Sequence, residues 1–262
     1  MKKHSKLSIL TIILITLLLS GCKMFETQFE STRNEAVQEI PQLVDETNGI
    51  SITSTVEQKP LVFINKKQLV LGELDSLGRA TNAHIQLRDS DEPTKKREPR
   101  LTYNPVGWHN YKFSYKASDG TQKKAWLFNR GHLIGYQFSG LNDESRNLVP
   151  ETALLNAGNY SGMNSSNTNA MLYYENQLDN WLSNHPNYYL DYQVTPLYQR
   201  DELIPRYIRL AYVGIDENAE PLKITLSTKK EVEGSYQATV VYLKNESANA
   251  TINYLDGTAQ QR

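Results

Sequence analysis

Apolar and polar residues alternate along Tyr188 to Tyr198 and again along Arg206 to Gly214, a period of two that predicts two paired strands with Pro205 between them. Lys223 to Leu226 and Tyr236 to Leu243 read as a further pair. Leu61-Val62-Phe63-Ile64 and Trp126-Leu127-Phe128 are short apolar runs of strand character. The period changes near Thr152. Thr152 to Ala157 reads as a short helix closed by Gly158, and Thr168 to Ser183 as a longer one with His185-Pro186 just past its end. In the longer helix Met171, Tyr174, Leu178, Trp181 and Leu182 fall within one arc when residues are placed ~100° apart. No repeat and no heptad pattern runs through the chain. The mixture predicts an α+β fold built on a central antiparallel sheet.

One position breaks the pattern of the long helix. Glu175 lies at the edge of its apolar arc, beside Met171 and Leu182. A carboxylate placed there is partly desolvated and needs a partner, either a basic side chain or a cation.

The first residues follow a different rule. Lys2, Lys3 and Lys6 precede the apolar run Leu7 to Leu19, which is short for a membrane span and suits a secretion signal. Leu19-Ser20-Gly21-Cys22 follows, resembling the lipobox at which bacterial lipoproteins are cleaved and lipidated. Three segments are expected: a lipoprotein signal over 1–22, an acidic tether over 23–58 and a folded domain over 59–262. Cys22 is the expected lipidation site, and the outer face of the cell membrane, or the medium, the expected location. A membrane contact through the lipid is implied; no protein partner is legible.

Composition sharpens this division. Hydrophobic residues make up 39% of the 262 and charged residues 22%, enough for a packed core and too apolar for wholesale disorder. Sixteen tyrosines lean toward half-buried sheet surfaces. With a single cysteine the fold must stand without an internal disulfide. The net charge of −1 hides an asymmetry. Over 23–58 only Lys23 and Arg33 oppose seven acids, a net −5, which leaves the domain at +1. A charged leash of this kind extends and holds its domain away from the surface.

The chemistry concentrates in Asn129-Arg130-Gly131-His132-Leu133-Ile134-Gly135, then Asn147-Leu148-Val149-Pro150-Glu151-Thr152, then Asn156. A strand, a loop, a second strand and a helix could bring His132, Asn147 and Asn156 together. Phosphodiester hydrolysis asks for such a set. A histidine takes a proton from water near neutral pH, a cation offsets charge on the phosphate and leaving oxygen, and an arginine holds the phosphate with planar geometry. Taken singly, these residues are weakly specific: a lone histidine in a strand is more often structural, and Asn147 and Asn156 alone would more often be caps or turn residues.

Arg130-Gly131-His132 and its downstream asparagines resemble the DNA/RNA non-specific endonuclease family, with its ββα-metal (His-Me) finger; the likeness is nearest to streptococcal secreted DNases. It extends over about residues 72 to 200 and includes Leu74-Asp75-Ser76-Leu77-Gly78-Arg79-Ala80 and Tyr103-Asn104-Pro105-Val106-Gly107-Trp108-His109-Asn110. The resemblance implies a finger at residues 124 to 160 and an extracellular DNase that also leaves RNA open as a substrate. It implies His132 as general base, Asn156 as the direct Mg2+ ligand with Mn2+ able to substitute, and Asn147 as a support for the histidine. Glu175 would hold metal-bound waters, and Arg130 the phosphate or the finger. Asn129 stands where the family usually has aspartate. The alternative is a surface lipoprotein that binds nucleic acid or another ligand on such a fold without cutting.

Remaining candidates carry less. Arg97 and Arg100, in the basic run Lys95 to Arg100, could contact phosphates outside the cleft. Trp108, Tyr103 and Tyr111 suit core packing better than base stacking, and His84 and His109 read as structural. A bound cation and Arg130 are both expected to disfavour the protonated form of His132.

Overall fold

The computed structural model describes residues 43–45, 50–52 and 58–262. The signal segment with Cys22 and most of the tether lie outside the described residues. Within the tether, β1 (Leu43–Asp45) and β2 (Ile50–Ile52) pair antiparallel.

Seven strands make the main sheet: β3 (Gln68–Leu71), β4 (Ala83–Leu87), β9 (Tyr189–Leu197), β10 (Tyr207–Ile215), β11 (Pro221–Leu222), β12 (Val232–Glu233) and β13 (Thr239–Lys244). Their order is β12-β13-β10-β9-β4-β3, with β11 on the end of β10, and every pairing is antiparallel. The expected central pair is β9 with β10, in register from Tyr189↔Ile215 to Leu197↔Tyr207. Alternation puts Tyr192, Val194, Ile208, Leu210 and Tyr212 on one face. There they meet Ile85 and Leu87 of β4 and Val241 and Leu243 of β13 in a single core. Three two-stranded units stand apart: β5 (Lys112–Lys116) with β6 (Gln122–Trp126), β7 (Phe128–His132) with β8 (Leu148–Thr152), and β14 (Ala250–Ile252) with β15 (Ala259–Gln261).

The helices are α1 (Tyr136–Ser139), α2 (Ala153–Ala157) and α3 (Met171–Asn184). In α2 the Thr152 hydroxyl accepts from Leu155 N–H, and Gly158 ends the turn in the left-handed region at φ 75°. The longer helix begins at Met171, three residues later than expected. The Asn167 carboxamide accepts from Asn169 N–H, and that local turn competes with the first helical turn. Met171, Tyr174, Leu178 and Leu182 then enter the sheet's core, as the arc predicted.

Two expected strands are absent. Residues 61–64 form no ladder: Val62 and Ile64 are exposed, and Leu61 N–H donates to the Asp191 carboxylate at 2.9 Å. The edge of β4 is taken instead by β3. Lys223 to Leu226 is not a strand either. Glu231 accepts from the N–H groups of Leu226 and Thr228, which a ladder would need, and from the Tyr212 hydroxyl. The partners of β13 are therefore β10 and β12. The run Trp126 to Phe128 is split: Leu127 lies between β6 and β7, tying them to Tyr111 and Ala153 by backbone bonds.

Candidate active site

The expected finger is present as β7, β8 and α2. The ribbon runs from Phe128↔Thr152 to His132↔Leu148, and α2 follows β8 directly and packs back on both strands. His132 is the last residue of β7, and is 7% exposed. Its Nε2 lies 2.9 Å from the Asn142 carbonyl oxygen. A carbonyl can only accept, so Nε2 carries the proton and the lone pair sits on Nδ1. Burial lowers the pKa of the ring and Arg97 lowers it further, against the bonds from the 141–142 backbone that raise it. The cation among the leading causes is Arg97, which the sequence had not singled out for this role.

The residues after His132 are clamped from two sides. Asn147, fully buried, meets the backbone of Ile134 as a strand would: Ile134 N–H donates to its Oδ1 at 2.9 Å, and its Nδ2 donates to Ile134 O at 2.9 Å. Glu175, reached from α3, accepts from Gly135 N–H at 2.8 Å and from Gln137 Nε2 at 3.3 Å. A Cβ at residue 135 would stand 2.6 Å from Glu175 Oε1, so only glycine admits the carboxylate so close. Burial pushes the Glu175 carboxyl up to about 7, although Gly135, Gln137 and Arg97 pull against the rise. Asn147→Ala should therefore strand the buried Ile134 N–H, while Ile134 O keeps the Ser139 hydroxyl at 3.2 Å, and cost about 1–3 kcal/mol of unfolding free energy. Urea denaturation checks this; a loss below about 1 kcal/mol would show that the clamp is dispensable.

Arg130 is held rather than free. Its Nε donates to Asn104 Oδ1 at 2.8 Å, and its guanidinium lies 4.2 Å above the centre of the Trp108 ring. Trp108 thus packs under Arg130 and against the Leu127–Phe128 cluster, in keeping with a packing role. Asn104 and Trp108 as holders of Arg130 were missed in the sequence, although both lie in the segment that drew attention. Asn156, on α2, is half-buried and its carboxamide makes no hydrogen bond among the described residues. Arg97 comes closer to the cleft than expected. Asn142 accepts from Glu98 N–H, Asp143 accepts from Thr102 and Tyr103, and the Tyr136 hydroxyl donates to Lys95 O. Those ties fasten the basic loop beside His132, where the charge of Arg97 acts on His132 and Glu175 alike. Arg100 is exposed and has no such link.

A model of the DNA/RNA non-specific endonuclease family matches residues 62–214, more than half of the chain and the whole finger. The chain belongs to that family. It is, accordingly, a non-specific endonuclease. Among solved structures, one described as an extracellular nuclease is 46% identical, covering 79% of this chain and 100% of its own, with a TM-score of 0.64. An extracellular endonuclease is 47% identical over 79% of this chain and 92% of its own, also at 0.64. NucA from Streptococcus agalactiae with magnesium ion bound is 21% identical over 90% of this chain and 97% of its own, at 0.57, a likeness of fold alone. No curated protein gives a significant match.

Four of the expected residues of the endonuclease lie on or against the finger. His132 ends the first finger strand, Asn147 and Glu175 clamp the two residues that follow the loop's start, and Asn156 occupies the finger helix. His84 and His109 lie elsewhere. His84 Nε2 is 2.6 Å from Asp191 Oδ1 in a buried pair, and His109 Nε2 is 3.0 Å from Asp256 O; both are structural, as read.

Proposed function

We propose that the enzyme hydrolyses phosphodiester bonds of DNA, with RNA open as a second substrate, through a water activated by Nδ1 of His132. The observation that carries this is the bond from His132 Nε2 to the Asn142 carbonyl, which leaves Nδ1 as the proton acceptor. The lowered pKa keeps the ring neutral and ready at physiological pH.

The residues fit a divalent ion of the kind that keeps most of its water. Among the described residues no three His, Cys, Asp or Glu side chains gather as a metal cage, while the Asn156 carboxamide on the finger helix is uncommitted and Glu175 is a buried carboxylate at the Gly135 N–H. Asn156 would hold Mg2+, or Mn2+ in its place, and Glu175 its waters. The bound ion would supply charge stabilisation for the phosphate and the leaving oxygen. Arg97 and Arg130 would hold phosphate oxygens, contacts that carry no base information and so give loose specificity. The products would carry 5′-phosphates. A ligand-binding protein without catalysis would need neither the fixed tautomer nor the clamp around it. Cleavage of plasmid by residues 24–262, with and without chelator, tests the reading.

Glu175→Gln should lower activity when Mg2+ is limiting and regain part of it as Mg2+ is raised. Full activity at limiting Mg2+ would remove Glu175 from the metal's surroundings. We further propose that Cys22 is lipidated and that the tether holds the domain outside the cell, secretion being the alternative. Cys22→Ala should move the protein from the membrane fraction to the medium or leave an uncleaved precursor. Equal fatty-acid labelling of wild type and variant would refute this.

A further inference from the structure

The face of the ribbon away from His132 carries a group that the reading above leaves unused. Glu151 stands in β8 opposite Asn129, and is fully buried at 0% exposure. Neither carboxyl oxygen has a partner among the described residues. A buried polar group left unpaired costs about 1–3 kcal/mol. Side chains alternate along a strand, so Glu151 projects from the face opposite to Leu148 and its partner His132. There it lies directly beneath Gly131. A Cβ built on Gly131 would stand 2.3 Å from the Glu151 Cδ and 2.4 Å from its Oε2. Only glycine at 131 admits the carboxyl, which fills the space that a side chain there would occupy.

Placement gives this contact a consequence. The ribbon has only two strands, a unit with little stability of its own, and Gly131 is its most pliant residue. Gly131 also separates Arg130 from His132. Whatever packs against it limits how far the strand end can swing. Burial, with the charge of Glu175, raises the Glu151 pKa well above the ordinary carboxylate range. Glutamine is its nearest substitute in shape and polarity.

We infer that Glu151 is a positioning residue for the reaction: its carboxyl, wedged beneath Gly131, fixes the end of the strand that aims His132. This rests on His132 being the base. A reacting group displaced by about an ångström loses on the order of 100-fold in rate. Glu151→Ala should therefore lower kcat about 100-fold with KM unchanged, whereas Glu151→Gln should stay within about threefold of wild type.

The deciding comparison is made in a second background. In His132→Gly supplied with imidazole, the base diffuses in and is not aimed by the strand. There Glu151→Ala should cost less than about threefold in kcat. Should Glu151→Ala give no cooperative urea transition, Glu151→Val replaces it; it favours the strand yet lacks the carboxyl that is wedged beneath Gly131, and the same results are expected. Equal losses in both backgrounds would overturn the inference and leave the base assignment intact. So would an unchanged kcat in the otherwise wild-type enzyme, or a Glu151→Gln as impaired as Glu151→Ala. No imidazole rescue of His132→Gly itself would overturn the base assignment and this inference with it.

Discussion

His132→Ala is expected to cut plasmid DNA on the order of 10²- to 10⁴-fold more slowly than wild type while folding and binding DNA normally. The loss follows from removing a ring whose Nδ1 lone pair is left to take the proton, since Nε2 is committed to Asn142. The pH profile should agree. A base works in its neutral form, which prevails above its pKa. Burial and Arg97 set that pKa below the ordinary histidine value of about 6.5. The rate should reach its plateau before neutral pH and fall only under acid conditions. Arg97→Ala should move the acid limb toward higher pH, because a cation that opposes imidazolium is gone. A variant within a few-fold of wild type would return His132 to a structural role.

Chelation and Asn156→Ala should have effects of comparable size. Without an ion the charge building on the phosphate has only arginines to meet it, and Arg130 is already engaged by Asn104 and Trp108. EDTA should stop cleavage. Asn156→Ala should lower it on the order of 10³-fold, since the loss of several kcal/mol of charge stabilisation translates to that factor. Unlike Glu175→Gln, it should recover little when Mg2+ is raised. Because the Asn156 carboxamide has no hydrogen bond among the described residues, the substitution should leave stability almost unchanged. Titration of Mg2+ into both variants, followed by activity and by thermal unfolding, checks the separation. Cleavage in EDTA at the wild-type rate would exclude the ion from the reaction.

What the sequence made legible was mostly local. The strands at Tyr189–Leu197 and Tyr207–Ile215 announce themselves by alternation, and α2 by Thr152 and Gly158 at its ends. Glu175 stood out because a carboxylate at the margin of an apolar arc needs a reason, and the Gly135 N–H is part of it. The misplaced elements were decided by distant side chains. Asp191 takes the Leu61 N–H, and Glu231 takes those of Leu226 and Thr228, so two apolar runs never enter a ladder. The approach of Arg97 depends on Asn142 and Asp143 fastening a loop more than forty residues earlier, which no local pattern encodes. Glu151 reads in sequence as an ordinary polar strand residue. Its burial follows only from the tertiary fold, which sets it beneath Gly131 and within reach of Glu175, Tyr192 and Tyr198.

The central claim is that a neutral imidazole at position 132 removes the proton from the attacking water. Chemical rescue of His132→Gly tests it most directly, because it replaces the base and nothing else. Plasmid cleavage by this variant in Mg2+ should be nearly absent, then rise with added imidazole in proportion to its neutral fraction, so that rescue strengthens as pH passes through about 7. Equal stimulation of wild type and variant, or a variant that imidazole leaves inactive at every pH although it folds and binds DNA, would contradict the account.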